Sequence, residues 1–205
     1  MTIVCISINP IGDKSVHVRS DEELIQSLIN GDQNAFDMLF KKYSRPLIFF
    51  IQQIIHDKSR TEDIFQDTFI KVLENADKFD SRYHFSTWIY RIAFNLSINE
   101  LKKRKRERIL LCNPDEKYTA DGERELFEPH PEPITPFDYV LQNEQSAQIN
   151  SALNRLTTAQ RTAFMLKFNH HLTYDEIADV MECSSGTVKS RIHYAVEKIK
   201  EIIGA

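Results

Sequence analysis

Residues 85–106 read FSTWIYRIAFNLSINELKKRKR, and this stretch decides the fold class. It holds neither glycine nor proline, and its apolar side chains recur at helical spacing in two stripes on nearly opposite sides. The stripes comprise Phe85, Trp88, Ile89, Ile92, Ala93 and Leu96 on one side, and Tyr90, Phe94, Ile98 and Leu101 on the other. A helix that is apolar on both sides is packed on both sides, so we predict that other helices enclose it.

The rest of the chain is also typical of helices. Only 5 of the 205 residues are glycine, and no run of alternating apolar and polar residues is bounded by hairpin turns. With 41% hydrophobic and 27% charged residues, the composition is that of a soluble globular protein. We therefore predict an all-α fold.

Helix starts upstream of this stretch carry clear signals. Ser20 and Glu23 have capping-box spacing, and Gly31 ends the helix that they begin. A second helix is predicted from about Asn34, and Pro46 is predicted to begin a third, since proline is favoured in a first helical turn. Another helix is predicted near 60–76, ahead of the one near 85–105.

A change in composition divides the chain. Five of the 7 prolines lie between Pro114 and Pro136, and the net charge is +2 over residues 1–106, −7 over 107–145 and +1 over 146–205. Such a segment cannot bury enough apolar surface to fold alone. We predict a poorly ordered N-terminal extension over 1–20, a helical domain over 21–106, a loose acidic linker over 107–137 and a second helical domain over 138–205.

The second domain has the pattern of a helix-turn-helix. Short helices are predicted near 158–168, 174–181 and 185–202, with capping-box pairs at Thr157 and Gln160 and at Thr173 and Glu176. The last helix is apolar on one face and carries small polar and basic side chains on the other, which suits entry into the major groove of DNA. A helical hairpin with an ordinary solvated face is the alternative interpretation.

The helix around Trp88 combines aromatic and basic residues. Only a narrow polar strip of Arg91, Asn95 and Lys102 separates its apolar stripes, and Lys102–Arg106 are consecutive cations. A basic end beside aromatic residues suits contact with phosphates and unstacked bases. Favourable charge at a helix C-terminus explains one or two lysines, but is less natural for the whole run.

The helix near 60–76 carries a different outer face. Asp63, Gln66 and Asp67 lie on it with Ile70, and an acidic face would repel DNA. An apolar residue inside a polar rim indicates a protein partner, although single exposed apolar residues are common on protein surfaces.

At these positions the chain resembles the sigma-70 superfamily. Glu62–Val72 is similar to region 2.2, Phe85–Asn95 resembles regions 2.3 and 2.4, and Tyr174–Lys200 resembles region 4. The motifs occur in the family's order, and regions 1.1 and 3 are missing, as in the extracytoplasmic-function (ECF) group. Departures from the family pattern are Asp67 where Glu is frequent, His171 and Glu182 where Gly is common, and Tyr194 where a basic residue is frequent.

The resemblance implies a sigma factor that binds core RNA polymerase and directs promoter recognition, DNA melting and transcription initiation, with no catalysis, cofactor or metal of its own. Its implied partners are the β′ clamp helices of the polymerase, promoter DNA and an anti-sigma factor. The residues implied at the polymerase are Asp63, Gln66, Asp67, Ile70 and Lys71. Those implied at the minus-ten element are Lys78, Phe79, Ser81, Arg82, Tyr83, Trp88, Arg91, Asn95 and Lys102. Those implied at the minus-thirty-five element are Lys167, Ser185, Gly186, Thr187, Lys189, Ser190, Arg191, His193 and Tyr194.

The loop Asp77–His84 is the expected pocket for one base extruded from the minus-ten element. Extrusion costs a few kcal/mol, which stacking and hydrogen bonding must offset. The alternative is a plain loop in which Phe79 and Tyr83 pack on the core.

Two rival functions remain at this point. A two-domain helix-turn-helix regulator would explain the C-terminus but neither the acidic face nor the Trp88 helix. An enzyme such as a recombinase would need a nucleophile or clustered acids in a pocket, and His170 and His171 lack companion ligands for a metal. Three widely spaced cysteines, and the absence of a signal-peptide or membrane-span pattern, favour a cytoplasmic protein with no membrane insertion.

Overall fold

The computed structural model describes residues 19–111 and 151–203, and within them the chain is helical with no strand. In the first domain, α1 is Asp21–Ile29, α2 is Gln33–Ile55, α3 is Lys58–Glu74 and α4 is Phe85–Leu111, with a 3-10 turn at Ala76–Lys78. In the second, residues 151–154 are helical and are followed by α5, Thr158–Phe168, α6, Tyr174–Met181, and α7, Ser185–Ile203. The predicted all-α fold is confirmed. Residues 1–18 of the predicted N-terminal extension, residues 112–137 of the linker and residues 138–150 lie outside the description.

Side chains fix where several helices begin, as the sequence predicted. The Ser20 hydroxyl accepts a hydrogen bond from the Glu23 amide at 3.1 Å, and the Glu23 carboxylate accepts one from the Ser20 amide at 2.8 Å. Equivalent capping boxes begin α5 and α6. The first amide of α4, at Phe85, donates to the carboxylate of Glu22 at 3.1 Å, so α1 positions the start of α4.

The predicted helix boundary at Pro46 was wrong. Pro46 lies inside α2, which continues without a break from Gln33 to Ile55. Proline removes the backbone hydrogen bond to the carbonyl of Lys42. Lys42 is exposed, so water can satisfy that carbonyl. Leu39 before the proline and Leu47 after it are buried in the same core, so packing holds both halves of the helix in place.

The prediction that the Trp88 helix is packed on both sides is confirmed. Helix α4 contacts α1, α2 and α3 of its own domain and α6 of the second domain. Phe85, Ile89 and Ala93 are fully buried, and Tyr90 and Phe94 are nearly so. The helix also continues to Leu111, so residues 107–111, predicted as the start of the linker, are helical.

A buried arginine joins the two domains. The Arg161 side chain of α5 is 1% exposed, and its guanidinium donates to the carbonyls of Leu153, Asn154 and Leu156 and, in the first domain, of Gln53, at 2.8–3.3 Å. Burial lowers the pKa of Arg161 to about 10, so the group stays charged at neutral pH. Those carbonyls lie at helix ends or close to them, where intrahelical donors run out. One buried cation therefore donates to backbone carbonyls on both sides of the interface.

Replacing Arg161 with methionine should lower the free energy of unfolding in urea by about 3 kcal/mol, because several buried carbonyls lose their donor. The matched control is Arg155→Met, which removes an exposed arginine six residues away in the same domain. That control should change stability by no more than about 0.5 kcal/mol. Equal losses in the two variants would contradict the role of Arg161.

Candidate functional site

The outer face of α3 is a mixed acidic and apolar surface. Every residue predicted there is exposed: Asp63, Gln66, Asp67, Ile70 and Lys71. Ile70 is 51% exposed and has an apolar neighbour one turn away in Leu73, which is 47% exposed. Phe40 of α2 packs on Phe65 and Phe69 of α3, with ring centroids 5.7 and 4.9 Å apart, yet is 39% exposed.

Sequence reasoning missed Leu73 and Phe40 as members of this surface. The three-residue spacing from Ile70 to Leu73 is a signal that was available, since such residues are neighbours on a helix. The position of Phe40 depends on how α2 packs against α3, which no local pattern reveals. Exposed apolar side chains that lie together, rather than singly, mark a surface that contacts another protein.

The loop before α4 and the Trp88 face enclose a cleft. Its volume is about 260 Å³, and Lys78, Phe79, Asp80, Tyr83, Thr87, Trp88, Arg91 and Asp179 line it. Phe79 is buried against Phe85 and Trp88, whereas Tyr83 is exposed. The two aromatic residues of the loop therefore have different positions: Phe79 is part of the core and packs against Trp88, whereas Tyr83 is exposed to solvent.

The other predicted residues of this loop are exposed and bonded to near neighbours. The Arg82 guanidinium donates to both carboxylate oxygens of Asp80, from Nε to Oδ1 at 3.0 Å and from Nη2 to Oδ2 at 2.5 Å. That pairing holds the pKa of Asp80 below its usual range. The Lys78 ammonium donates to the Asn75 amide oxygen at 2.8 Å, and Ser81 is exposed.

Acidic side chains of the second domain meet the polar strip of α4. The Thr87 hydroxyl donates to Glu176 at 3.0 Å, and the Asn95 amide donates to Glu182 at 3.2 Å. The Arg91 guanidinium forms an ion pair with the same Glu182 oxygen at 3.5 Å. Lys102, two turns beyond Asn95, is exposed. The predicted minus-ten residues Arg91 and Asn95 thus face a partner within the chain that the sequence did not reveal.

An aromatic contact completes this interface. Tyr90 Oη and His170 Nδ1 share a hydrogen bond of 2.7 Å, and the two rings lie 4.3 Å apart. The His170 ring also meets Phe50 of α2 edge-on at 5.9 Å. Its Nε2 is buried and has no hydrogen-bond partner among the residues that the structure describes. His170 and His171 lie in the turn between α5 and α6.

The recognition face of the second domain is α7 with its flanking helices. Gly186, Lys189, Ser190, His193 and Tyr194 are exposed on it. Ser185 and Thr187 are half-buried at its start, where the Ser184 hydroxyl caps the helix by accepting a hydrogen bond from the Thr187 amide at 3.1 Å. Arg191 is half-buried and its Nη1 lies 3.4 Å from the sulfur of Cys183, so it flanks the face.

Two lysines flank an exposed tyrosine beside that face. The Lys167 ammonium lies 4.7 Å from the ring centroid of Tyr174, and that of Lys189 lies 5.7 Å from it. Lys167 also donates to the Leu172 carbonyl at 3.2 Å, which holds it in place. Tyr174 was not among the predicted site residues. It brings cations from α5 and α7 together at one end of the helix-turn-helix.

Neither a metal centre nor a membrane span emerges from the described ranges. Residues 19–111 and 151–203 contain no group of three or more His, Cys, Asp or Glu side chains that could hold a metal ion. In the same part of the chain, no helix is both long and apolar enough to cross a membrane.

Fold and site together define an all-α DNA-binding protein that joins a helix-turn-helix domain to a helical domain with a protein-contacting surface. Family models identify it further: sigma-70 region 2 matches residues 39–107 and sigma-70 region 4 matches residues 146–199. The chain is 34% identical over 186 residues to the RNA polymerase sigma-H factor of Pseudomonas aeruginosa, covering 89% of this chain and 93% of that protein. It is 31% identical over 177 residues to the ECF RNA polymerase sigma factor SigW of Bacillus subtilis, covering 86% and 93%. The chain belongs to the sigma-70 family, among its ECF RNA polymerase sigma factors, which are transcription initiation factors.

Solved structures agree on the fold. The sigma factor RpoE of Bartonella quintana, in complex with the anti-sigma factor NepR, has a TM-score of 0.63 at 24% identity and covers 83% of this chain and 97% of its own. CnrH in complex with the cytosolic domain of CnrY has a TM-score of 0.61 at 22% identity, covering 91% and 98%.

The interface around His170 predicts acid sensitivity. Burial and the neighbouring charge of His171 lower the pKa of His170 to about 4. The unfolded chain, where the pKa is about 6.5, binds this proton first, so stability is lost as the pH falls from about 6.5 towards 4. Between pH 7.5 and 5, this group should remove about 2 kcal/mol from the free energy of unfolding.

Urea unfolding at both pH values measures this loss, and His170→Phe should abolish it while keeping an aromatic ring against Tyr90. The exposed His193 offers a control, since His193→Phe should retain the full pH dependence. A His170→Phe protein that loses as much stability as the wild type would exclude His170 as the source.

Proposed function

We propose that the surface formed by Phe40, Ile70 and Leu73, with Asp63, Gln66 and Asp67 around it, binds the β′ clamp helices of RNA polymerase. The clustering of exposed apolar side chains inside an acidic rim is the observation that carries this assignment. The acidic rim repels DNA, which leaves a protein as the partner. A helix-turn-helix regulator that acts without the polymerase has no use for such a surface.

We infer that the minus-ten element binds at the cleft and along the polar strip of α4. The cleft of about 260 Å³ has an aromatic floor in Phe79 and Trp88, and Lys78 and Arg91 supply charge for a backbone phosphate. Any unpaired base can stack on an exposed aromatic ring, whereas hydrogen bonds to the edge of the base distinguish one base from another. Tyr83 lines the cleft, and Ser81 and Arg82 are exposed on the same loop, so we assign these three residues to contacts with an extruded base. Exposed Lys102 extends the proposed path of the strand along α4.

We infer that α7 reads the minus-thirty-five element in the major groove. Ser190 and Lys189 lie on the exposed face of α7. Gly186 and Thr187 lie in its first turn, where small side chains let a recognition helix approach the base edges closely. Lys167, held over Tyr174, is positioned to contact phosphate from the preceding helix. His193 and Tyr194, with rings 5.7 Å apart, extend the exposed face away from the turn.

We also propose a cytoplasmic protein with no catalysis of its own and with an anti-sigma factor as its regulator. The domain roles that follow are polymerase and minus-ten binding for residues 21–106, and minus-thirty-five binding for 138–205. Support for the regulator comes from two proteins of the same fold, RpoE with NepR and CnrH with CnrY.

Reversing charge on α3 should weaken binding to core polymerase. The double variant Gln66→Arg and Asp67→Arg should reduce affinity for core polymerase about tenfold or more. The two arginines replace negative charge on the α3 surface with positive charge, which removes its electrostatic complementarity to the partner. Fluorescence anisotropy of labelled protein titrated with purified core measures this in the absence of DNA. Glu197→Arg, on the exposed side of α7, is the control and should bind normally. Wild-type affinity in the double variant would remove the assignment.

Removing a phosphate contact should affect all DNA sequences alike. Lys167→Ala should weaken binding of the polymerase holoenzyme to every promoter tested and reduce the slope of log affinity against log salt by about 1. Lys200→Ala, which removes an exposed lysine near the end of α7, should leave the slope unchanged. If Lys167→Ala instead changed base preference at an unchanged slope, Lys167 would be a base-reading residue.

A further inference from the structure

The contact between the two domains includes one histidine from each. His56 ends α2 in the first domain, and His170 lies in the turn after α5 in the second. Across the contact, His56 Nε2 lies 2.5 Å from Arg161 Nη1, and His170 Nδ1 lies 2.7 Å from Tyr90 Oη. Each imidazole is therefore hydrogen-bonded to a side chain of the opposite domain.

The bond between Arg161 and His56 requires a neutral imidazole. A guanidinium carries donors only, so the Nε2 atom that faces it is the unprotonated nitrogen of the ring. The same Nη1 donates to the carbonyl of Gln53 at 2.8 Å, which holds the guanidinium in place. A proton on Nε2 would turn the acceptor into a donor and bring two cations together at hydrogen-bond distance, where they repel strongly. Protonation of His56 and this interdomain bond therefore exclude each other.

The charges around His56 do not offset that repulsion. The adjacent carboxylate, Asp57, already accepts from Arg104 Nη2 of α4 at 3.1 Å and from the Arg60 amide of α3 at 3.0 Å. Glu100 of α4 pairs with Arg60 at 3.5 Å and with Arg104 at 3.2 Å. Lys58 adds a further cation at the start of α3. Both carboxylates at this corner are thus bound to other donors, and cations outnumber them.

The second histidine is also neutral in the contact. Its ring lies 4.3 Å from that of Tyr90 of α4 and meets Phe50 of α2 edge-on. Burial raises the pKa of Tyr90, so its hydroxyl supplies no negative charge. The neighbouring charge on the turn itself is that of His171, which is also basic, and burial together with His171 lowers the pKa of His170 to about 4. A proton on His170 is therefore unfavourable while the domains touch.

We propose that His56 and His170 together make the contact between the domains an acid-sensitive switch, which is closed while both rings are neutral and opens when both take up a proton. The proposal goes beyond the function assigned above and does not depend on it, because it needs only the bonds across the contact. In separated domains both rings meet water and titrate as ordinary histidines, near pH 6.5. Opening therefore takes up two protons, and a fall in pH favours it.

The number of protons sets how steep the response is. Between pH 7.5 and 5.5, a histidine that is neutral in the closed form and ordinary in the open form raises the ratio of open to closed molecules about tenfold. Two such histidines multiply to about 100-fold over the same interval. The size of the response thus distinguishes the proposed pair from a single titrating group.

Single-molecule energy transfer between dyes at the exposed positions 74 and 201 counts open and closed molecules of the full-length protein, with its native cysteines replaced by alanine. From pH 7.5 to 5.5 the open-to-closed ratio should rise about 100-fold in the otherwise unchanged protein. It should rise about tenfold in His56→Gln and in His170→Phe, and not at all in the double variant. Glutamine keeps an acceptor for Arg161 without titrating, and phenylalanine keeps a ring against Tyr90.

The control is His193→Gln, which removes an exposed histidine of α7 and should keep the full 100-fold response, about that of the unchanged protein. Circular dichroism at both pH values verifies that each protein is folded. His56→Asn is a second variant at this position, because asparagine adopts readily the left-handed backbone that residue 56 has, with φ of 55°. It should also reduce the response to about tenfold.

Three results would overturn the switch. One is an open fraction in the unchanged protein that is the same at both pH values. Another is a full response in the folded His56→Gln and His56→Asn proteins, which would place the titrating groups elsewhere. The third is complete loss of the response in His170→Phe alone, which would leave a single histidine in control and remove the pairing with His56.

Discussion

Helix α4 is apolar on two sides, and the structure depends on covering both. Helices α1, α2 and α3 pack on it within the first domain, and α1 fixes its start through Glu22. Tyr90 on the second side packs against Phe50 of α2, and His170 from the second domain also covers its ring and hydroxyl. Leaving aromatic surface in water is unfavourable, at roughly 25 cal/mol per Å² of apolar area. The helix that we propose as the minus-ten surface therefore packs against the second domain of its own chain.

Such a helix places two functions on one surface. In the structure, Thr87 and Asn95 of α4 donate hydrogen bonds to the carboxylates of Glu176 in α6 and of Glu182 just after it. The same donors suit phosphates and base edges. A surface that binds anions without a fixed partner would attach to any nucleic acid, since phosphate contacts are independent of sequence. In the structure, carboxylates of the second domain occupy these donors, whereas the apolar residues of α3 are exposed.

Local patterns predicted the elements well, and long-range contacts escaped them. The capping pairs at Ser20, Thr157 and Thr173 predicted helix starts, because a cap is decided within four residues. The prediction at Pro46 was wrong because it used local sequence alone. Whether a proline begins a helix or lies within one depends on how the flanking turns pack against other helices. The double stripe of α4 predicted cover on both sides but could not say that α6 supplies part of it.

The site follows the same division. Exposure of Asp67, Ile70 and Lys189 was readable from helical periodicity, since each lies opposite an apolar stripe. The membership of Phe40 and Tyr174 was not, because their neighbours come from other helices. The partners of Arg91 and Asn95 lie 91 and 87 positions away in sequence, so no local signal pointed to Glu182. Its unusual place in a turn where glycine is common was the one visible sign.

The account holds that α4 contacts the second domain in the free protein and promoter DNA in the polymerase complex. The distance between the two domains tests this claim most directly. Spin labels at the exposed positions Ser59 and Glu201, in a protein whose native cysteines are replaced by alanine, allow that distance to be measured by pulsed electron resonance. The account predicts a single short distance in the free protein and a longer one after core polymerase is added. The same distribution in both samples would contradict it.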